Sequence, residues 1–105
     1  MPGKGKREIY DAALLKRVAL GFDVDERVVH NAIEKQPISL ADFVERSERV
    51  RRGLEHELGG EETLKAWLKT ENHGLDDERP IEFFKDGRID VLERVEKALK
   101  GLQFG

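Results

Sequence analysis

The chain has 105 residues, 39% of them charged and 38% hydrophobic, with a net charge of -3. A chain this short folds as one compact domain and buries about two-thirds of its unfolded surface, which is room for one helical core but not for a deep substrate cavity as well. It has no cysteine, which excludes disulfides, thiolate metal sites and cysteine nucleophiles. Its 22 acidic and 19 basic residues are mixed throughout, unlike the one-signed surface of a dedicated nucleic-acid binder. No apolar run approaches the roughly 18 residues that span a bilayer, and no hydrophobic signal segment follows the basic start. The expected compartment is cytoplasmic, with no membrane partner.

Residues 1–7, with Lys4, Lys6 and Arg7, read as a flexible basic tail. A first helix is expected from Glu8 to Leu20, stopped by Gly21. Asp23 or Asp25 caps a second helix to Lys35, with Val28, Val29, Ala32 and Ile33 at helical spacing and Pro37 closing it. Ser39 is the N-cap of the clearest helix, with Asp42 three residues on and Ile38 and Phe43 spaced as a hydrophobic staple. Its apolar stripe is Leu40, Phe43, Val50, Leu54 and Leu58, interrupted by Ser47 and ended by Gly59-Gly60. A shorter helix carries Leu64, Trp67 and Leu68. An irregular connection from Thr70 to Arg79 follows. Pro80 then opens a short helical turn containing Ile81, Phe83 and Phe84, and Asp86-Gly87 marks a turn. The last helix is expected from Arg88 to Lys100, with Ile89, Leu92, Val95, Ala98 and Leu99 facing inward and residues 101–105 as a short apolar tail. The pattern is all-α: a small single-domain bundle of about five helices, with residues 8–38 a helix-turn-helix-like pair that forms one compact unit with 39–105.

Catalytic chemistry finds little purchase. His30, His56 and His73 fall on different elements and none forms a zincin-type pair. Ser39 is explained as a cap, and no serine lies in a nucleophile elbow. Asp76-Asp77-Glu78 lacks the alternating spacing of a calcium loop and reads as a solvated acidic loop. No enzyme activity, metal or cofactor is expected. The pair of helices around Gly21 has the outline of a DNA-binding unit whose second helix can present Arg27, His30, Asn31 and Lys35 to operator DNA. The same helix opens with Asp23, Asp25 and Glu26, which repel the phosphate backbone.

From Trp67 onward the residues fall into a recognisable order: Trp67-Leu68, Asn72, Leu75, Pro80, Phe83-Phe84, Gly87, Val91-Leu92, Val95 and a terminal glycine. This resembles the toxin-binding domain of the Xre/MbcA/ParS antitoxin family. Glu71 stands where a proline often precedes the asparagine, and the first third of the chain matches the family's helix-turn-helix only faintly. The resemblance implies a 39–105 toxin-binding helical domain in which Trp67, Leu68, Asn72, Pro80, Phe83, Phe84 and Gly87 are structural. It implies a protein partner, a RES-type toxin that consumes NAD, in a homodimer or a toxin–antitoxin hetero-oligomer. It also implies that the C-terminal end blocks the toxin's NAD pocket. The residues that would enter or cover it are Gly101, Leu102, Gln103, Phe104 and Gly105, while Arg88, Lys97 and Lys100 on the outer face of the final helix would bind the toxin surface. From the residues alone, Leu102 and Phe104 can equally pack on the chain's own core.

Overall fold

The computed structural model describes residues 13–35 and 38–104, with side chains through Gly101. The expected basic tail, the first residues of the expected first helix (8–12), Pro37 and Gly105 lie outside the described residues. Residues 13–22 form helix α1. It is followed by α2 (Glu26–Glu34), α3 (Leu40–Leu58), α4 (Glu61–Leu68), a 3-10 turn (His73–Leu75), α5 (Pro80–Lys85) and α6 (Ile89–Phe104). The only strand-like feature among the described residues is an isolated antiparallel bridge between Asn72 and Glu78. The all-α expectation holds, with the turn at Pro80 grown into a helix of its own.

Gly21 does not stop α1. The helix runs on to Phe22, and Asp23 takes the left-handed conformation that ends it (φ 56°). The amide of Val24 donates to the Ala19 carbonyl at 3.0 Å and that of Asp23 to the Leu20 carbonyl at 3.3 Å, which together make a Schellman ending. Aspartate tolerates this conformation better than most residues. Gly21 instead leaves room for Arg51: a Cβ there would lie 2.4 Å from Cδ of Arg51, and that side chain would have to move aside. Asp25, not Asp23, caps α2, its carboxylate accepting from the Arg27 amide at 2.8 Å. Ser39 caps α3 as the sequence indicates, accepting from the Asp42 amide at 3.1 Å. Gly59 ends that helix at φ 94°, and Gly60 starts the next.

The core is drawn from every helix. Val18, Ala19 and Phe22 of α1, Val29 and Ala32 of α2 and Phe43, Val50 and Leu54 of α3 meet Leu64 and Leu68, Ile81 and Phe84, and Ile89 and Leu92 from the C-terminal half. Ser47, which interrupts the α3 stripe, is nonetheless fully buried, and its hydroxyl has no hydrogen-bond partner among the described residues. Trp67 is half-buried and packs against the rim of this core rather than inside it. At the centre, the ring of Phe84 stacks on Phe22 with centroids 4.2 Å apart and planes 16° apart, and meets Phe43 at 5.8 Å.

Phe22 lies on α1 and its stacking partner on α5, so this contact joins the N-terminal and C-terminal halves of the chain. Phe22→Ala should cost about 3–5 kcal/mol. Urea unfolding checks this: a single transition with a lowered midpoint is expected, and a midpoint equal to wild type would contradict it.

Candidate partner-binding site

Two stretches of local structure set up the surface of the C-terminal half. The first is the connection after α4, which is built around Asn72. Its side-chain oxygen accepts from the Gly74 amide at 2.8 Å. Its carbonyl accepts from the amides of Leu75 (2.9 Å) and Asp77 (3.0 Å), and its own amide donates to the Glu78 carbonyl at 3.0 Å. One asparagine therefore closes the loop on itself, which is what its short amide does well in turns. Asp76 and Asp77 both take positive φ (56° and 64°), and His73 Nδ1 lies 3.1 Å from the Asp77 carboxylate. The acidic loop is thereby a folded turn that brings Leu75 toward α6.

The second stretch is α5. Pro80 occupies its first turn, where a missing N–H leaves nothing unpaired. Gly87 ends it at φ 75°. The Gly87 amide donates to the Phe84 carbonyl at 2.9 Å and the Arg88 amide to the Phe83 carbonyl at 2.8 Å, again a Schellman ending. These two residues fix the phase of α5, so that Phe84 is buried while Phe83 is left half-buried beside α6.

Arg88 opens the outer face of α6. Its Nε and Nη2 donate to the two oxygens of Asp90 at 3.0 and 3.1 Å, and Arg94 Nη2 reaches the same carboxylate at 3.2 Å. The hydrogen bonds from Arg88 hold the Asp90 carboxyl below its ordinary range and push the Arg88 guanidinium up. A depressed carboxyl contributes stability above its unfolded pKa and loses that contribution as the pH falls through its folded value. Both side chains are nearly half exposed, so the contribution is small. Asp90→Asn should therefore be less stable than wild type at neutral pH, with the gap closing in acid below the lowered Asp90 pKa. Urea midpoints across that range check it, and a gap that widens in acid would refute it.

Along its length α6 is seated on α3 by charge. Arg46 of α3 forms a two-pronged pair with Glu93, at 3.0 Å through Nε and with a second contact through Nη2. That contact raises the Arg46 guanidinium pKa. Glu96 lies over Gly53, where a Cβ would fall 1.6 Å from its Oε2. From this seat, its side chain only 12% exposed, Glu96 holds Lys100 at 2.8 Å. The hydrogen bond that Lys100 donates to Glu96 raises the Lys100 pKa. Gly53→Ala gains roughly 1 kcal/mol of helix propensity but evicts that carboxylate. The Lys100 pKa, followed by NMR, should then move down toward the ordinary lysine value. An unchanged titration would mean that Gly53 does not seat Glu96.

Of the residues expected to touch a toxin, Arg88, Lys97, Lys100 and Gly101 are exposed. The side chains of Leu102, Gln103 and Phe104 and all of Gly105 lie outside the described residues. The backbone corrects the expected end of the last helix at Lys100: α6 continues through Gly101 to Phe104, so most of the short apolar tail is helical. Gly101 is not among the glycines at positive φ. Glycine weakens a helix without ending it unless the chain adopts the left-handed cap. Ala98, expected to face inward, is exposed. With Leu75, Phe83, Val91 and Val95 it lines a groove of about 410 Å³ between the Asn72 loop and α6, with Arg88, Arg94 and Asp76 at its edges. Sequence periodicity misses this groove because a helical stripe does not reveal which neighbouring element fails to cover it.

The four residues considered for DNA, Arg27, His30, Asn31 and Lys35, are exposed on and just after α2. His30 lies 3.5 Å from the Glu34 carboxylate, and Lys35 donates to Asp86 at 3.2 Å. His56, on α3, is exposed and far along the chain from both other histidines. Among the described residues no helix is long and apolar enough to cross a membrane.

Residues 53–105, just over half of the chain, match the family model described as the antitoxin Xre/MbcA/ParS C-terminal toxin-binding domain. No curated protein and no solved structure matches the chain.

Proposed function

The chain belongs to the Xre/MbcA/ParS antitoxin family, and from that premise we propose that it is the antitoxin of a bacterial type II toxin–antitoxin pair that neutralises a RES-domain, NAD-consuming toxin. In this reading α6 docks on the toxin and residues 101–105 occlude its NAD site. The mechanism is steric and needs no chemistry from the antitoxin.

The observation that carries the reading is the course of α6. Its buried residues end at Leu92, and Val95 and Leu99 are half-buried, whereas Lys97, Ala98, Lys100 and Gly101 are all exposed. The helix nevertheless continues to Phe104. A helix that keeps one side on its own core through Val95 and Leu99 while its other face is exposed is a preorganised probe, and preorganisation reduces the entropy lost on docking. Lysines 97 and 100 on its last turns favour an acidic rim and a fast encounter.

Deleting residues 101–105 should leave the far-UV circular dichroism and the urea midpoint near wild type. It should weaken inhibition of NAD consumption by the co-expressed toxin about tenfold or more, since few residues at an interface dominate its affinity. Full suppression of NAD loss by the shortened chain would refute occlusion by these residues.

A further inference from the structure

We infer that the groove between the Asn72 loop and α6 is a second docking element for the cognate toxin. It would receive an apolar side chain that the toxin presents beside a carboxylate. The inference rests on membership of the toxin-binding family and not on the RES or NAD reading.

Three observations carry it. First, Leu75 and Phe83 are half-buried yet stand outside the core cluster and the apolar residues packed on it. The loop and α5 hold these two side chains across from α6, where with Ala98 they give the groove its apolar lining. Apolar side chains that a small domain orders without burying mark a contact surface. Second, the α6 edge of the groove is cationic. Arg88 and Arg94 share one carboxylate, Asp90, whereas the Asn72 loop contributes Asp76 to the lining. A carboxylate arriving beside an apolar side chain would meet the shared guanidiniums, the geometry that Arg favours at interfaces. Third, the groove residues from Gly74 to Ala98 all fall inside the stretch that matches the toxin-binding domain. Along α6, Ala98 precedes Gly101 by about 4.5 Å of helix rise. A toxin that reaches the end of α6 therefore passes the mouth of the groove.

The test uses the full chain co-purified with the toxin encoded beside it, with affinity read by calorimetry. Ala98→Glu puts a carboxylate in the mouth at an exposed helical position, where it also engages Arg94 four residues earlier. Leu75→Asp alters the opposite lip without touching α6 or its end. Leu20→Asp, at an exposed apolar site on α1 outside the matched stretch, serves as a control. Circular dichroism confirms that each variant is folded. Each groove variant should weaken binding about 30-fold or more, as loss of an interface anchor does, with Leu20→Asp within threefold of wild type, a margin of about 0.7 kcal/mol. Arg94→Glu should weaken binding more at low salt than at high salt. If folded Ala98→Glu and Leu75→Asp both bind like wild type, the groove is not a docking element, whatever happens to the C-terminal deletion. If they bind the toxin normally but alter self-association in sedimentation, the occupant is a second copy of the chain and the inference is overturned. If wild type itself does not bind that toxin, the groove assignment and the antitoxin reading fall together.

Discussion

The stack of Phe84 on Phe22, with Phe43 at its edge, is the contact on which the rest of the molecule depends. The three rings come from α5, α1 and α3 and are all within 1% of complete burial. An aromatic pair adds about 0.5–1.5 kcal/mol beyond the area it buries, a sizeable fraction of what a domain this small has in reserve. The position of Phe84 is set by its own short helix, which Pro80 starts and Gly87 ends. Punctuation that looks like mere turn signal thus decides which of two adjacent phenylalanines enters the core and which lies beside α6.

Around that centre, long charged side chains are laid across helices at places where glycine leaves room. Arg51 lies over Gly21 and is held by Glu48 at 3.1 Å and Glu55 at 2.9 Å. Glu96 lies over Gly53 and holds Lys100. Arg46 and Glu93 tie α3 to α6 along the same seam. Lys69 reaches back to Asp23 and depresses its carboxyl, joining the end of α4 to the end of α1. Individually such partly exposed pairs contribute little. Their geometric effect is larger: the Arg46–Glu93 pair and Glu96 over Gly53 align α6 on α3 along its buried side.

That division of α6 links fold to function. Its first half is anchored by Ile89, Leu92 and the Glu93 pair, and its second half presents lysines, Ala98 and Gly101 to solvent. The Asn72 loop stands across from it and completes a second, apolar surface with Leu75 and Phe83. A partner engaging both would contact elements that are distant in sequence but rigidly spaced, so that specificity can come from the spacing as well as from the residues. Arg27, His30, Asn31 and Lys35 sit on another helix, among acids that already engage two of them.

Much of this was legible in the residues. The all-α class, the Ser39 cap, the Gly59-Gly60 break and the Pro80 start follow from local rules, in which a cap or a proline acts on its immediate neighbours whatever the rest of the chain does. The order of Trp67, Asn72, Pro80 and Gly87 likewise pointed to the family, and the last three each answer a local backbone demand. The tertiary structure decided what depends on neighbours from elsewhere in the chain. Gly21 and Gly101 look alike as helix stops, yet both are helical: the first leaves space for Arg51, and the second has open space around it. Asp23 takes the left-handed turn that the sequence assigned to glycine. Ala98 fits the inward stripe and faces out, because the element opposite it is a loop that stops short of covering it. Local chemistry sets where a helix can begin and end; only packing sets which of its faces is buried and what is left exposed for a partner.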